Sequence, residues 1–133
     1  MADIVHEIEI RVRYQETDGQ RRLHHANYLT YFEMGRTELL RSFGRTYREF
    51  EDAGLFMVVS EVTCRYVAPA EYDDVLRLRT RVEKTGAAHI KHAYELVRGT
   101  RIIATGTTTV VCVDRDGAVR RLPDWMLPDG GAT

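Results

Sequence analysis

Serine and lysine are nearly missing from this chain. Ser42 and Ser60 are the only serines and neither lies in a Gly-x-Ser-x-Gly sequence, so serine-hydrolase chemistry has no anchor. No Walker loop or Gly-x-Gly-x-x-Gly occurs, which leaves nucleoside triphosphate and dinucleotide chemistry unsupported. The two cysteines, Cys64 and Cys112, each sit in an apolar, strand-like run and form no pair of metal spacing; they read as reduced core thiols. No apolar run approaches the ~20 residues that span a bilayer, and the start lacks the basic-then-apolar pattern of a secretory signal. A cytoplasmic protein without membrane insertion follows. Charge of one sign is missing too: 19 basic and 20 acidic residues leave a formal −1, so no nucleic-acid partner is expected. What is there is 133 residues, 44% hydrophobic, which suits one domain over residues 1–133 with a loosely ordered tail at 122–133.

The spacing predicts a half-buried strand over residues 4–14, with Ile4, His6, Ile8, Ile10, Val12 and Tyr14 on one face. Asn27 is placed to cap a helix over 28–43, and Gly44 stops it. Gly35 inside that helix costs about 1 kcal/mol against Ala, which predicts another backbone close by. A short helical segment at 47–53 precedes strands at 56–67, 75–83, 88–97 and 101–113. Asp116-Gly117 then signals a hairpin to a short sixth strand at 118–121. The short turns imply antiparallel pairing. The expected architecture is α+β: one long central helix wrapped by a curved antiparallel sheet of five to six strands, the hotdog arrangement. Its uncovered sheet face and edges predict a homo-oligomer, at least a dimer.

The segment from Tyr14 to Tyr28 concentrates reactive side chains in a connection. Asp18 is a carboxylate shortly before a helix start, where unpaired backbone N–H groups around His25 and Ala26 could bind a developing oxyanion. The plainer reading of Asp18-Gly19 is an Asx turn. His24 and His25, adjacent on an extended segment, point apart, and His89 and His92 face opposite sides of a strand; no metal is expected. Arg21 and Arg22 fit solvated loop charges or phosphate contacts. Asp73 and Asp74 fit a turn better than a catalytic pair, and Glu33 fits a helix charge as well as an active-site group.

Several blocks, in order and spacing over roughly residues 10–122, resemble a known family. They are Arg13-Tyr14-Gln15-Glu16-Thr17-Asp18, His25-Ala26-Asn27-Tyr28, Phe32-Glu33-Met34-Gly35-Arg36-Thr37-Glu38, Tyr66 to Asp74, and Val110 to Asp114. The family is the hotdog-fold acyl-CoA thioesterases of the 4-hydroxybenzoyl-CoA thioesterase type, within it the bacterial branch associated with the Tol-Pal system. The resemblance implies hydrolysis of an acyl-CoA thioester to free acid and CoA, without metal or cofactor, at a site shared between two subunits of a homodimer or homotetramer. It makes Asp18 the nucleophile or general base, the His25 backbone N–H the oxyanion donor, and the His25 side chain an active-site group. Tyr14, Tyr28, Arg21 and Arg22 are the substrate-binding candidates beside Asp18. Lys84 and Thr85 match the turn that holds CoA.

The sequence departs from the family at Gln20-Arg21-Arg22, where small and apolar residues usually stand. Two guanidinium groups there could favour an acidic acyl chain or contact CoA phosphate. That departure keeps two alternatives open, an acyl-acyl-carrier-protein thioesterase and a non-catalytic acyl-CoA or acyl-carrier binding module. A hotdog dehydratase would need a glycine- and proline-rich context around His25, which is missing.

Overall fold

The computed structural model describes residues 4–126. The first strand, β1 (Val5–Arg11), alternates as expected but ends before residue 14. Tyr14–Glu16 wind into a 3-10 turn instead, because the Glu16 carboxylate turns back to accept the Arg13 N–H at 2.8 Å. Tyr14 consequently faces solvent rather than the strand's inner face.

The long helix, α1 (Asn27–Ser42), ends at Gly44, whose φ of 81° is the left-handed value expected of a helix stop. Asn27 does not cap it. Ala26 occupies the cap position, and the Asn27 amide is spent on the Glu16 carbonyl at 2.9 Å. Thr46 and Glu49 form a capping box that opens α2 (Tyr47–Asp52).

Four more strands follow: β2 (Leu55–Tyr66), β3 (Val75–Thr85), β4 (His89–Arg98) and β5 (Arg101–Asp114). They join β1 in one sheet of order β1-β3-β4-β5-β2, with every pairing antiparallel. The expected sixth strand shrinks to a single bridge between Val113 and Val119. Asp114 explains this, since its carboxylate draws in the N–H groups of Asp116 and Ala118 and the Arg120 guanidinium, curling the segment away from ladder geometry. The chain does not loosen at residue 122 either. Leu122 and Met126 are buried with Leu40, Phe50 and Ile90, and the rest of the expected tail, 127–133, lies outside the described residues.

α1 lies on one face of the sheet. Phe32 stacks on Tyr94 with ring centres 4.3 Å apart and sits over Gly106, where a Cβ would meet both that ring and the Thr63 carbonyl oxygen at 2.5 Å. Gly35 also marks a close approach, but of side chains and not of a backbone: a Cβ there would meet Thr80 Oγ1 and Leu78 Cδ2 from β3. One long helix on a five-stranded antiparallel sheet of this order is the α+β hotdog fold. Among the described residues no helix is long and apolar enough to cross a membrane.

Candidate active site

The chain between β1 and α1 is folded onto itself by a small number of polar ties. Asp18 and Arg22 close a tight loop, with Asp18 N–H donating to the Arg22 carbonyl at 2.8 Å and Thr17 bridging Leu23. Asp18 Oδ1 accepts the N–H groups of Gln20 at 2.8 Å and Arg22 at 3.2 Å. The Asx-turn reading therefore holds for one oxygen, while Oδ2 has no hydrogen-bond donor among the described residues. The Arg22 and Gln20 N–H groups, helped by the nearby His24, hold the Asp18 carboxyl below its ordinary range, so it is an anion at neutral pH.

Glu16 fastens this loop to α1. It is buried, its Oε1 accepts the Tyr31 hydroxyl at 2.7 Å, and its Oε2 accepts the Arg13 guanidinium twice at 3.1 Å. Burial works to raise its carboxyl, but the Arg13 N–H, the Tyr31 hydroxyl and the Arg13 charge together outweigh it and keep the group low. Its carbonyl accepts the His24 N–H and the Asn27 amide, each at 2.9 Å. One residue thus fixes the start of α1 relative to Asp18, which follows it by two positions.

At that helix start the Ala26 N–H, expected to be free, is taken by His24 Nδ1 at 3.1 Å. The His25 N–H has no acceptor among the described residues. The His25 carbonyl accepts the Tyr66 hydroxyl at 2.9 Å, which anchors this turn to the end of β2. The two imidazoles do not point apart as expected: the backbone turns here instead of extending, and the rings stack with centres 4.2 Å apart. No group of three or more His, Cys, Asp or Glu among the described residues is arranged to hold a metal ion.

Asp18 and His25 line one cleft of about 310 Å³, together with Gln20, Arg22, Tyr28, Tyr66 and the Val67–Pro69 segment. Tyr28 is buried, and burial, with Cys64, Tyr66 and Asp18 nearby, pushes its phenol up to about 12, so it stays neutral. A second cleft of about 280 Å³ on the other side of Asp18 is lined by Tyr14, Thr17, Arg21, Glu71 and Tyr72. Arg21 reaches it from a left-handed backbone, φ 65°, and Tyr14 packs edge-on against Tyr72.

The other candidates are not brought here. Lys84 and Thr85 sit at the far end of β3, nine and ten positions from Val75 and so roughly 30 Å along the strand from the Asp18 side. Glu33 lies in a groove with Ile8, Glu9 and Met34. Asp73 and Asp74 are turn residues: Asp73 has a φ of 72°, and Asp74 Oδ2 accepts the Glu71 N–H and the Arg98 guanidinium, each at 2.9 Å. Glu16 and Tyr66 went unsingled in the sequence although both stand in the resembling blocks. No local pattern announces them, because each acts through a partner at least 15 residues away.

The family model described as the thioesterase-like superfamily matches residues 12–129. The acyl-CoA thioesterase YbgC of Haemophilus influenzae is 36% identical over 106 residues, 79% of this chain and 78% of that protein. The acyl-CoA thioester hydrolase YbgC of Escherichia coli is 29% identical over 106 residues, 79% of each chain. Among solved structures, the DHNA-CoA thioesterase of Staphylococcus aureus superposes with a TM-score of 0.87 at 28% identity, covering 91% of this chain and 83% of that one.

Proposed function

The chain belongs to the thioesterase-like superfamily and is a thioester hydrolase, and from that premise we propose that it cleaves acyl-CoA thioesters in the cleft between Asp18 and the start of α1. The observation that carries the reading is that one cleft is lined by Asp18, whose Oδ2 has no donor among the described residues, and by His25 just before α1, whose N–H has no acceptor among them. The thioester carbonyl oxygen would take the His25 N–H, which strengthens as negative charge develops on it. Asp18 would then act on the carbonyl carbon, either forming an acyl-aspartyl anhydride as CoA thiolate leaves or drawing a proton from an attacking water. Its lowered pKa keeps it ionised at neutral pH, the form that either route needs. Tyr28 and the His25 side chain would shape the acyl side, and Tyr14 and Arg21 the opposite mouth.

The same reading makes the active form a homodimer. Lys84 and Thr85 could serve CoA only if a second copy brings that end of β3 to the cleft, a reason to read the site as shared. The two free thiols, Cys64 and Cys112, fit a reducing cytoplasm.

Thiol release from a panel of acyl-CoAs tests the proposal. Asp18→Asn is expected to lower kcat by about 10²- to 10⁴-fold. His25→Ala is expected to cost under about tenfold, because the main-chain donor survives, whereas losing such a donor outright costs about 10²- to 10³-fold. Equal losses in the two variants would refute the main-chain role. A folded protein that takes up acyl-CoA and releases no thiol would overturn the hydrolytic reading.

A further inference from the structure

The cleft contains a cation with no partner. Arg22, an exposed residue, lines it, and among the described residues no acidic side chain stands within 4.0 Å of its guanidinium. Asp18 shares the cleft but has its Oδ1 turned to the loop's own N–H groups. Besides Gln20 and the His25 imidazole, the remaining walls, Leu23, Tyr28, Tyr66, Val67, Ala68 and Pro69, carry no charge. An unpaired guanidinium in such surroundings is a two-pronged receptor for a carboxylate or phosphate.

Reach decides between those anions. Arg22 is tied to Asp18: the Asp18 N–H donates to the Arg22 carbonyl at 2.8 Å, and the Arg22 N–H donates to Asp18 Oδ1 at 3.2 Å. Both residues line the same cleft of about 310 Å³, so an anion held by Arg22 inside it shares the space that a thioester at Asp18 occupies. The pantetheine arm of CoA places its diphosphate roughly 15 Å from the sulfur when extended. The anion that meets Arg22 while the thioester sits at Asp18 is therefore on the acyl side. The cleft's 310 Å³ equals the space of about ten waters, enough for an acyl group of a few carbons with a terminal carboxylate.

We infer that the preferred substrate is a thioester whose acyl group is itself anionic, a short dicarboxylyl or carboxy-substituted group, and that Arg22 is the residue that selects it. Arg21 does not share this task, since it lines the neighbouring cleft beside Glu71. The inference rests on the thioesterase reading above. The main-chain bonds of Arg22 to Asp18 survive replacement of its side chain, so variants at Arg22 change the receptor and leave the Asp18 loop in place.

The test compares kcat/KM for succinyl-CoA against butyryl-CoA and for glutaryl-CoA against valeryl-CoA, pairs of equal chain length, in wild type, Arg22→Gln and Arg22→Lys. Wild type should favour the dicarboxylyl ester by about ten- to hundredfold, the range of one charge-assisted contact. That ratio should fall to near one in Arg22→Gln and be partly kept in Arg22→Lys. Equal turnover of charged and neutral esters by wild type overturns the inference on its own, even if no variant folds. A loss of the same factor on both esters in Arg22→Gln also overturns it, and moves the guanidinium to the CoA portion or the loop. Absence of thiol release from every ester is a different result, because it sinks the thioesterase reading and the inference with it.

Discussion

Asp18 and His92 show how differently single residues are set by their surroundings. The Asp18 turn is legible in the sequence because its N–H donors, Gln20 and Arg22, lie within a few positions. Glu16 is not, since a carboxylate in a polar loop becomes a buried tie only when Tyr31 and Arg13 close over it. His92 belongs to the second kind. It faces α1 from β4 beside Tyr94, it is buried with its Nδ1 unpartnered, and burial, reinforced by the Arg36 charge on the helix above, pushes its imidazole down to about 3. An unfolded chain takes up a proton there near pH 6.5, whereas the folded one refuses it until about 3, so stability must fall as pH drops through that window. The slope from this residue is at most about 1.4 kcal/mol per pH unit. Below the ordinary carboxylate range Glu16, Asp18 and Asp114 add losses of their own, because their folded pKa values are lowered. Urea midpoints at pH 7, 6 and 5 therefore separate His92 from these carboxylates, and the variant separates it from the other histidines: wild type should lose stability over that interval, and His92→Leu should show a shallower slope. Equal slopes would mean that the imidazole is not held neutral.

At the scale of elements, hydrophobic period and turn residues placed α1 and the five strands to within a few positions, because both signals are local. The same signals overextended β1 and produced a sixth strand. In each case a carboxylate, Glu16 or Asp114, takes backbone N–H groups that the ladder would need. Packing between elements was legible only as a hint. Gly35 announced a close approach, but that side chains of Leu78 and Thr80 make it depends on β3 lying beneath. Gly106 carries the stricter constraint, since a Cβ there meets the Thr63 carbonyl oxygen on β2 as well as the Phe32 ring. A ring can shift, whereas the paired strand cannot yield without breaking its ladder. Gly35→Ala should gain about 1 kcal/mol of helix propensity and lose it again in overpacking, which typically costs about 1–3 kcal/mol. Gly106→Ala should be the more destabilising of the two by denaturation. The reverse order would mean that α1 can lift from β5 more easily than from β3.

Over the whole molecule, the sheet has more face than the helix covers. β2 pairs with β5 so that Val62 stands opposite Thr108, Cys64 opposite Gly106 and Tyr66 opposite Ala104. Because cross-strand partners share a face, these β2 side chains lie on the α1 side of the sheet. Thr108 and Ala104 are buried there, yet Val62 is 41% and Tyr66 49% exposed, with Val59 at 49% and Val67 at 54% beside them. An edge strand of 12 residues with such a row is the surface on which a second copy would extend the layer. Tyr66 also borders the Asp18 cleft and holds the His25 carbonyl, so covering this face and completing the site would be one event. Val62→Lys separates association from folding, since a half-exposed edge position changes the stability of a single subunit by about 0.5 kcal/mol or less. Sedimentation should find wild type as a dimer or larger and the variant shifted toward monomer, with thiol release falling in proportion to the dimer lost. A variant that remains dimeric and fully active would move the interface away from β2, and with it the argument that the cleft is completed by a second subunit.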